Sequence, residues 1–432
     1  MSRVSFGRAV GGVGGAWMIV VWAAAAASVA LDTPARAGGV IQPTPVAVRV
    51  ATFNVEDLRT TDLLDPGNPK ARRLAEVIQR LRPNIVLINE IDDDAPGRPG
   101  VPSDQTEPRL NARRFADTFL AVPQAEGLAP MRFKAYMAES NTGEASGFDL
   151  NRDGKVVTTY EDPPPREQTA AGRAYGEDCW GFGTYPGQYA MALLVDERLT
   201  IDAANARTFR LLPWDYMPGN LMPAVPGSAE PWYGGEVKER VRLTSKSHWD
   251  VPVVLPNGAV LRVLCSHPTP PAFDGPEERN KRRNHDEIRF WRDYLDNQPY
   301  LVDDEGLEGG LLMRRGGPII GRAIPFVILG DLNADPAKGS SNRNPIRNQL
   351  FTSRHVNATV TPTGDAEIPG LAPSDTSSFK LRVDYVLPSR DIRVLKAGVW
   401  RHTPSGPGGF PSDHFPVWMD LEIDPPEPEP SK

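Results

Sequence analysis

The stretch that most constrains this chain is Phe326–Pro336, FVILGDLNADP. Phe326, Val327, Ile328 and Leu329 form an apolar run with no polar side, the pattern of a strand buried on both faces. Gly330 ends the run, and Asp331, Asn333 and Asp335 follow at alternate positions. On an extended backbone i and i+2 point the same way, so Asp331 and Asn333 leave the strand end together. A carboxylate able to take a proton beside an amide able to donate to an anion suits a site for water and phosphate. The alternative is an ordinary strand followed by an Asx-rich turn, because Asp and Asn favour turns for local reasons.

Polar groups at strand ends recur along the chain. Val46–Val55 alternates as a strand ending on Asn54, with Glu56 two residues further on. Lys70–Leu81 then places Leu74, Val77, Ile78 and Leu81 on one face of a helix that Pro83 stops. Asn84–Ile91 is a second buried strand with Glu90 at its end, which makes a β-α-β opening. Arg240–Ser245 and Val251–Leu255 are expected as strands. The Asn257-Gly258 turn joins the latter to Ala259–Cys265, which runs into Ser266-His267-Pro268. Glu277–Asn297 is expected as a helix with Ile288, Trp291 and Leu295 on its inner face. Its bases Arg279, Lys281, Arg282 and Arg283 form a solvated surface or, alternatively, a phosphate-binding patch. Val383–Leu387 carries Asp384, and Asp413-His414 precedes a last strand, Val417–Ile423.

The 432 residues and 40% hydrophobic content are ample for a large core, and the net charge of -7 gives no general attraction to nucleic acid. Residues 1–37 have the form of an export signal. Arg3 and Arg8 precede the uncharged run Ala9–Leu31, and Ala35-Arg36-Ala37 offers a cleavage site. An uncleaved anchor is the competing reading, since the run approaches the ~20 residues that span a bilayer. With cleavage the mature chain is expected outside the cytoplasm, secreted or periplasmic, with no membrane span and no stable protein partner implied. Pro425–Lys432 is expected to be a disordered acidic tail. Cys179 and Cys265 allow one disulfide or two free thiols. Asp149, Asn151, Asp153 and Gly154 match the first half of a calcium loop, but Tyr160 holds the place of its closing Glu, and a plain Asx turn gives the same pattern.

TFNVEDL at 52–58, PNIVLINEI at 83–91, SHPTPP at 266–271, GDLNADP at 330–336, VDYVLPS at 383–389 and SDHFPV at 412–417 follow in order. Together they resemble the endonuclease/exonuclease/phosphatase superfamily of deoxyribonuclease-like phosphoesterases. The resemblance implies an α/β fold, a four-layer α-β-β-α sandwich of two packed mixed sheets, spanning 38–424 as one domain with loop insertions at about 92–240. It implies hydrolysis of a phosphate ester by in-line attack of an activated water. Glu56, Glu90 and Asp413 are the implied ligands of Mg2+ or Mn2+, whose usual shell is hard oxygens and water. Asp331 is the implied base, Asn54 and Asn333 hold water and phosphoryl oxygens, Asp384 fixes the His414 tautomer, and His267 bonds the phosphate or assists the leaving group.

With six histidines, no H-E-x-x-H, no cysteine cluster, no G-x-S-x-G elbow and no Walker loop, zinc-hydrolase, serine-hydrolase and P-loop chemistries have no motif here. The expected substrate is a phosphodiester, either nucleic acid or a phospholipid head group. A small phosphomonoester such as a sugar or inositol phosphate is the alternative. A non-catalytic binding protein on the same scaffold is the rival from another class.

Overall fold

A computed structural model describes residues 44–315, 317 and 324–427. The export segment at 1–37 and residues 428–432 of the tail lie outside the described residues. The strands are Val46–Leu58 (β1), Ile85–Ile91 (β2), Phe133–Tyr136 (β3), Ala190–Asp196 (β4), Thr200–Ile201 (β5), Arg207–Thr208 (β6), His248–Val254 (β7), Val260–Ser266 (β8), Phe326–Asp331 (β9), Asp384–Pro388 (β10), Arg393–Val399 (β11) and Val417–Ile423 (β12).

The unbroken apolar runs have a simple cause: alternate residues serve two different packing layers. In β2, Ile85 and Leu87 meet Val251, Val263 and Val327 between the sheets. Val86 and Ile88 point the other way, onto Leu74, Val77 and Ile78 of the helix Pro69–Leu81. In β9, Val327 and Leu329 face inward, while Phe326 and Ile328 meet Ile288, Trp291 and Leu295 of the helix Arg279–Leu295. Helix, sheet, sheet and helix therefore stack as the four layers that the motifs imply. Each such Leu, Ile or Val contributes roughly 1.5–3 kcal/mol by leaving water. The helix Pro69–Leu81 is bounded locally: the Asn68 side chain accepts from Ala71 N at 3.0 Å, and Arg82 takes a left-handed conformation (φ 55°) at the other end.

One sheet runs β11-β12-β1-β2-β4-β3 and the other β10-β9-β8-β7-β5, with β6 on β7. β1 with β2 and β8 with β9 are the parallel pairs; the remaining pairings are antiparallel. The register brings Asp384 directly opposite Asp331.

Two expectations are corrected. Arg240–Ser245 is not a strand: it follows a short helix, Gly235–Arg240, and makes only an isolated bridge, Pro213 with Arg242. Val241 and Leu243 are buried, which gave the segment its strand-like alternation. Trp214 N donates to the Val241 carbonyl at 2.8 Å, and the next three carbonyls are satisfied by side chains instead of a ladder. Arg283 donates to the carbonyls of Leu243 and Arg242 at 3.0 and 2.8 Å, and Asn141 to that of Thr244 at 2.8 Å. Arg283 is accordingly a tie between loops rather than part of a solvated face or a phosphate patch. Cys179 and Cys265 are both buried free thiols.

Candidate active site

The ends of β1 and β2 are bent where their acids stand. The ladder between them shifts register between Asn54 and Leu58, and Glu56 and Asp57 have φ of 54° and 59°. Glu90 has φ 67°, beside a second shift between Asn89 and Ile91 against β4. Left-handed non-glycine residues cost of order 1–3 kcal/mol each, and here they turn acidic side chains out of the ladder toward one end of the sandwich. Glu90 Oε1 accepts from Asn54 Nδ2 at 2.9 Å, and Oε2 from Asp57 N at 3.2 Å. Glu56 N donates to Asn54 Oδ1 at 3.0 Å, and Glu56 Oε2 accepts from Asp413 N at 3.1 Å.

Asn54 also joins the two sheets, donating to Asp331 Oδ2 at 3.1 Å. Asp331 is 1% exposed, and its other oxygen accepts from Asn333 N at 2.9 Å. His267 Nε2 and His414 Nε2 stand 3.5 and 3.7 Å from Asp331 Oδ2. Burial alone would raise the Asp331 carboxyl; His414 and then His267 reverse that and hold it well below the usual carboxylate range. His414 Nδ1 bonds Asp384 Oδ2 at 2.9 Å, and Thr376 Oγ1 donates to the same oxygen at 2.7 Å. Burial opposes a charge on His414, but Asp384 and Asp331 lift it well above the ordinary imidazole value. Burial pushes Asp384 up to about 6, with His414 opposing and Asp331 adding. For His267 burial dominates and Lys246 adds to it, lowering the ring's proton affinity. Two imidazoles shifted in opposite directions thus face one carboxylate. His267 Nε2 faces Asp331 and Glu90 at 3.5 and 3.9 Å, and its Nδ1 has no hydrogen-bond partner among the described residues.

All of Asn54, Glu56, Glu90, His267, Asp331, Asn333, Asp384, Asp413 and His414 are thereby linked at one end of the two sheets, with Asn333 Nδ2 donating to the carbonyl of Pro268, next to His267, at 3.1 Å. The family model described as the Endonuclease/Exonuclease/phosphatase family matches residues 51–414, which takes in every one of them. The chain belongs to this family. Family membership implies phosphoesterase activity for it. Among solved structures, this endonuclease/exonuclease/phosphatase chain is similar to a family protein from Beutenbergia cavernae (19% identity, TM-score 0.45, 88% of this chain and 72% of that one). It is also similar to the human Nocturnin catalytic domain with bound sulfate (14%, 0.40, 88% and 94%) and to a Bacteroides thetaiotaomicron mannosyl-6-phosphatase (12%, 0.41, 87% and 99%). No curated protein matches the chain by sequence.

The family's divalent ion can be tested against the residues present. Glu56 is raised by burial and then by the charge of Asp413, and Asp413 Oδ1, 3.9 Å from His414 Nε2, is buried with no hydrogen-bond partner. Crowded carboxylates with an unsatisfied oxygen fit a hard cation. Among the described residues, the group whose ligand atoms all lie within 4.8 Å of one another is instead Asp331, Asp384 and His414. In that trio His414 Nδ1 and Asp384 Oδ2 bond each other at 2.9 Å, while Asp384 Oδ1, like Asp413 Oδ1, is buried with no hydrogen-bond partner. The wider spacing of Glu56, Glu90 and Asp413 suits an ion that keeps several waters, as magnesium does.

At the half calcium loop the structure shows an Asx turn. Asp149 accepts from Asp153 N at 3.1 Å and Gly154 N at 2.9 Å, Asn151 Oδ1 from Asp153 N at 3.0 Å, and Asn151 Nδ2 donates to Glu177 at 2.7 Å.

Sequence reasoning missed several members of this endonuclease/exonuclease/phosphatase site. Asn89 Oδ1 accepts from Thr52 Oγ1 at 3.1 Å and from Asp331 N at 3.3 Å, tying β9 to β2. Ser412 Oγ donates to the Asn54 carbonyl at 2.7 Å and accepts from His414 N at 3.1 Å. Both stand next to residues already singled out, which was the available signal. Phe379, 45% exposed, sets its ring edge-on to His414 at 5.3 Å, and Lys246 is buried beside His267; nothing in their local sequence marked either.

Gly330 explains how Asp331 can sit so close to the β8 end. Its φ is 152°, and a Cβ there would lie 1.9 Å from the Ser266 carbonyl oxygen. Gly330→Ala is expected to lower stability by more than about 2 kcal/mol, read from the urea midpoint. An unchanged midpoint would show that β8 and β9 can part without cost.

Proposed function

We propose that this chain is an exported, divalent-metal-dependent phosphoric ester hydrolase in which Asp331 deprotonates and aims the attacking water. The observation that carries the reading is the buried Asp331 carboxylate, set 3.5 and 3.7 Å from the Nε2 atoms of His267 and His414. A carboxylate in that place can orient the attacking water and take its proton, and Asn54 and Asn333 fix its position from both sides. His414, oriented through Nδ1 by Asp384, presents Nε2 to a phosphoryl oxygen, and the Nε2–H of His267 offers a second donor. Glu56, Glu90 and Asp413 would hold the metal, which when bound supplies neutralisation of phosphoryl charge. A compact phosphodiester fits the net charge of -7 better than a long duplex, which needs many basic phosphate contacts. Export rests on Arg3, Arg8, the Ala9–Leu31 run and the Ala35–Ala37 site.

The test uses the chain recovered after export, whose N-terminus is expected at Gly38. It is incubated with a phosphomonoester, a simple diester, plasmid DNA and sphingomyelin, with and without chelator. Chelator-sensitive cleavage of at least one is the expected result, strongest on a diester. Cleavage only of the monoester would move the chain to the phosphatase alternative, and activity that survives His414→Ala would remove the site assignment.

A further inference from the structure

The glycine- and aromatic-rich segment Cys179–Gln188, CWGFGTYPGQ, lies inside the loop insertion, far in sequence from the acids of the proposed site. Its end is pressed onto the strand that delivers Glu90. Gly187 has φ 89°, and a Cβ there would lie 2.3 Å from the Asp93 carbonyl oxygen. The Gly187 carbonyl in turn accepts from Asp93 N at 2.9 Å. The last residue, Gln188, is 0% exposed. Its Oε1 accepts from Thr184 N at 2.8 Å and from Thr184 Oγ1 at 3.0 Å, which fixes the amide plane. Its Nε2 donates to Asp57 Oδ1 at 3.0 Å.

Asp57 stands between two of the carboxylates assigned to the metal. It follows Glu56 in the chain, and its N–H donates to Glu90 Oε2 at 3.2 Å. Glu56 and Asp57 are both left-handed, with φ of 54° and 59°. Two such non-glycine residues in succession persist only where their surroundings hold them. The Asp57 carboxylate has two grips: Gln188 on Oδ1, and Arg59 Nε on Oδ2 at 2.7 Å. Arg59 is itself tied to the insertion, donating to the carbonyls of Pro165 and Arg166 at 2.8 and 3.2 Å. Both grips therefore lead back to the insertion. Release of the Gln188 grip frees the turn, and with it the direction of Glu56 and the N–H that fixes Glu90.

We propose that Gln188 is a positioning residue for the metal: by clamping Asp57 it sets the turn from which Glu56 and Glu90 take their direction, and so makes the insertion a working part of the ion site. The proposal rests on the phosphoesterase reading and its three carboxylate ligands, and adds a residue to it. Removal of an outer partner of this kind costs roughly 10–100-fold in metal affinity.

The experiment measures magnesium binding by calorimetry without substrate, for the wild type, Gln188→Leu and Gln188→Glu, alongside thermal stability without metal and ester cleavage. Tyr175→Phe is the control: the Tyr175 hydroxyl donates to the Gly143 carbonyl at 2.6 Å, so its loss loosens the insertion without touching Asp57. Gln188→Leu is expected to bind magnesium at least tenfold more weakly, and Tyr175→Phe within twofold of the wild type. Gln188→Glu turns a carboxylate onto Asp57 and is also expected to bind more weakly, although added negative charge by itself attracts a cation. Binding by Gln188→Leu within threefold of the wild type, while the wild type binds magnesium and cleaves its ester, overturns the Gln188 assignment alone. Tighter binding by Gln188→Glu does the same, because charge alone would give it. An equal loss in Tyr175→Phe also overturns it, since general loosening would then suffice. If neither Gln188 variant folds, the residue is structural and the assignment falls. A wild type that neither binds magnesium nor cleaves any ester overturns this assignment and the phosphoesterase reading together.

Discussion

Asp331→Asn is expected to lower kcat by roughly 10²–10⁴-fold, the contribution of a positioned base, while leaving KM unchanged or lower. The substitution is nearly isosteric, so its effect follows from protons. Asp331 receives hydrogen bonds from Asn54 Nδ2 at 3.1 Å and Asn333 N at 2.9 Å, and faces both histidine Nε2 atoms. An amide has one acceptor oxygen, so whichever way it turns, its NH2 group meets a donor. The lost negative charge also removes one of the groups that raise the proton affinity of His414. Substrate binding should not suffer, because a carboxylate facing phosphoryl oxygens repels them. Single-turnover kinetics separate the two effects. A fall in kcat of less than tenfold would mean that the water is activated elsewhere.

How far the sequence announced this site depends on what kind of residue each one is. Asp331, Glu90 and Asn54 were legible because each ends an apolar run, and the run itself records packing on both faces: Val327 and Leu329 inward, Ile328 outward. The Pro69–Leu81 helix was legible for the same reason at its own period. What the residues could not announce is where loops fold back. Thr244-Ser245-Lys246-Ser247 has the composition of a solvated turn, yet all four are buried because Glu287 and Asn141 satisfy its backbone. Polar side chains buried by long-range bonds leave no local pattern. Arg240–Ser245 failed in the opposite direction: burial of Val241 and Leu243 imitated a strand whose ladder does not exist. Arg283 explains that failure, since the guanidinium that caps the carbonyls of 242 and 243 comes from a helix forty residues on.

Glu90→Gln is expected to abolish most activity at ordinary magnesium concentrations and, independently of turnover, to erase the stabilisation that magnesium gives the wild type. A ligand present at a hundred times its Kd stabilises the folded state by about 2.7 kcal/mol. That shift, followed in urea or heat with no substrate present, is a direct reading of ion binding. The glutamine preserves the bond to Asn54 through its oxygen, but its NH2 group then faces the Asp57 N–H that Glu90 Oε2 now accepts at 3.2 Å. One charge is lost from a cluster in which Glu56 is already raised by burial and by Asp413. With two carboxylates in place of three, magnesium affinity should fall by roughly 10–100-fold, and raising the metal concentration should restore part of the shift. Asp149→Ala serves as the control, because its loop is remote in sequence and closed on its own backbone. A magnesium shift that survives Glu90→Gln and disappears in Asp149→Ala would place the ion in the wrong half of this account. A shift lost only in Glu90→Gln joins the cation to the same strand end that Asn54 couples to Asp331, and so joins metal and base in one pocket.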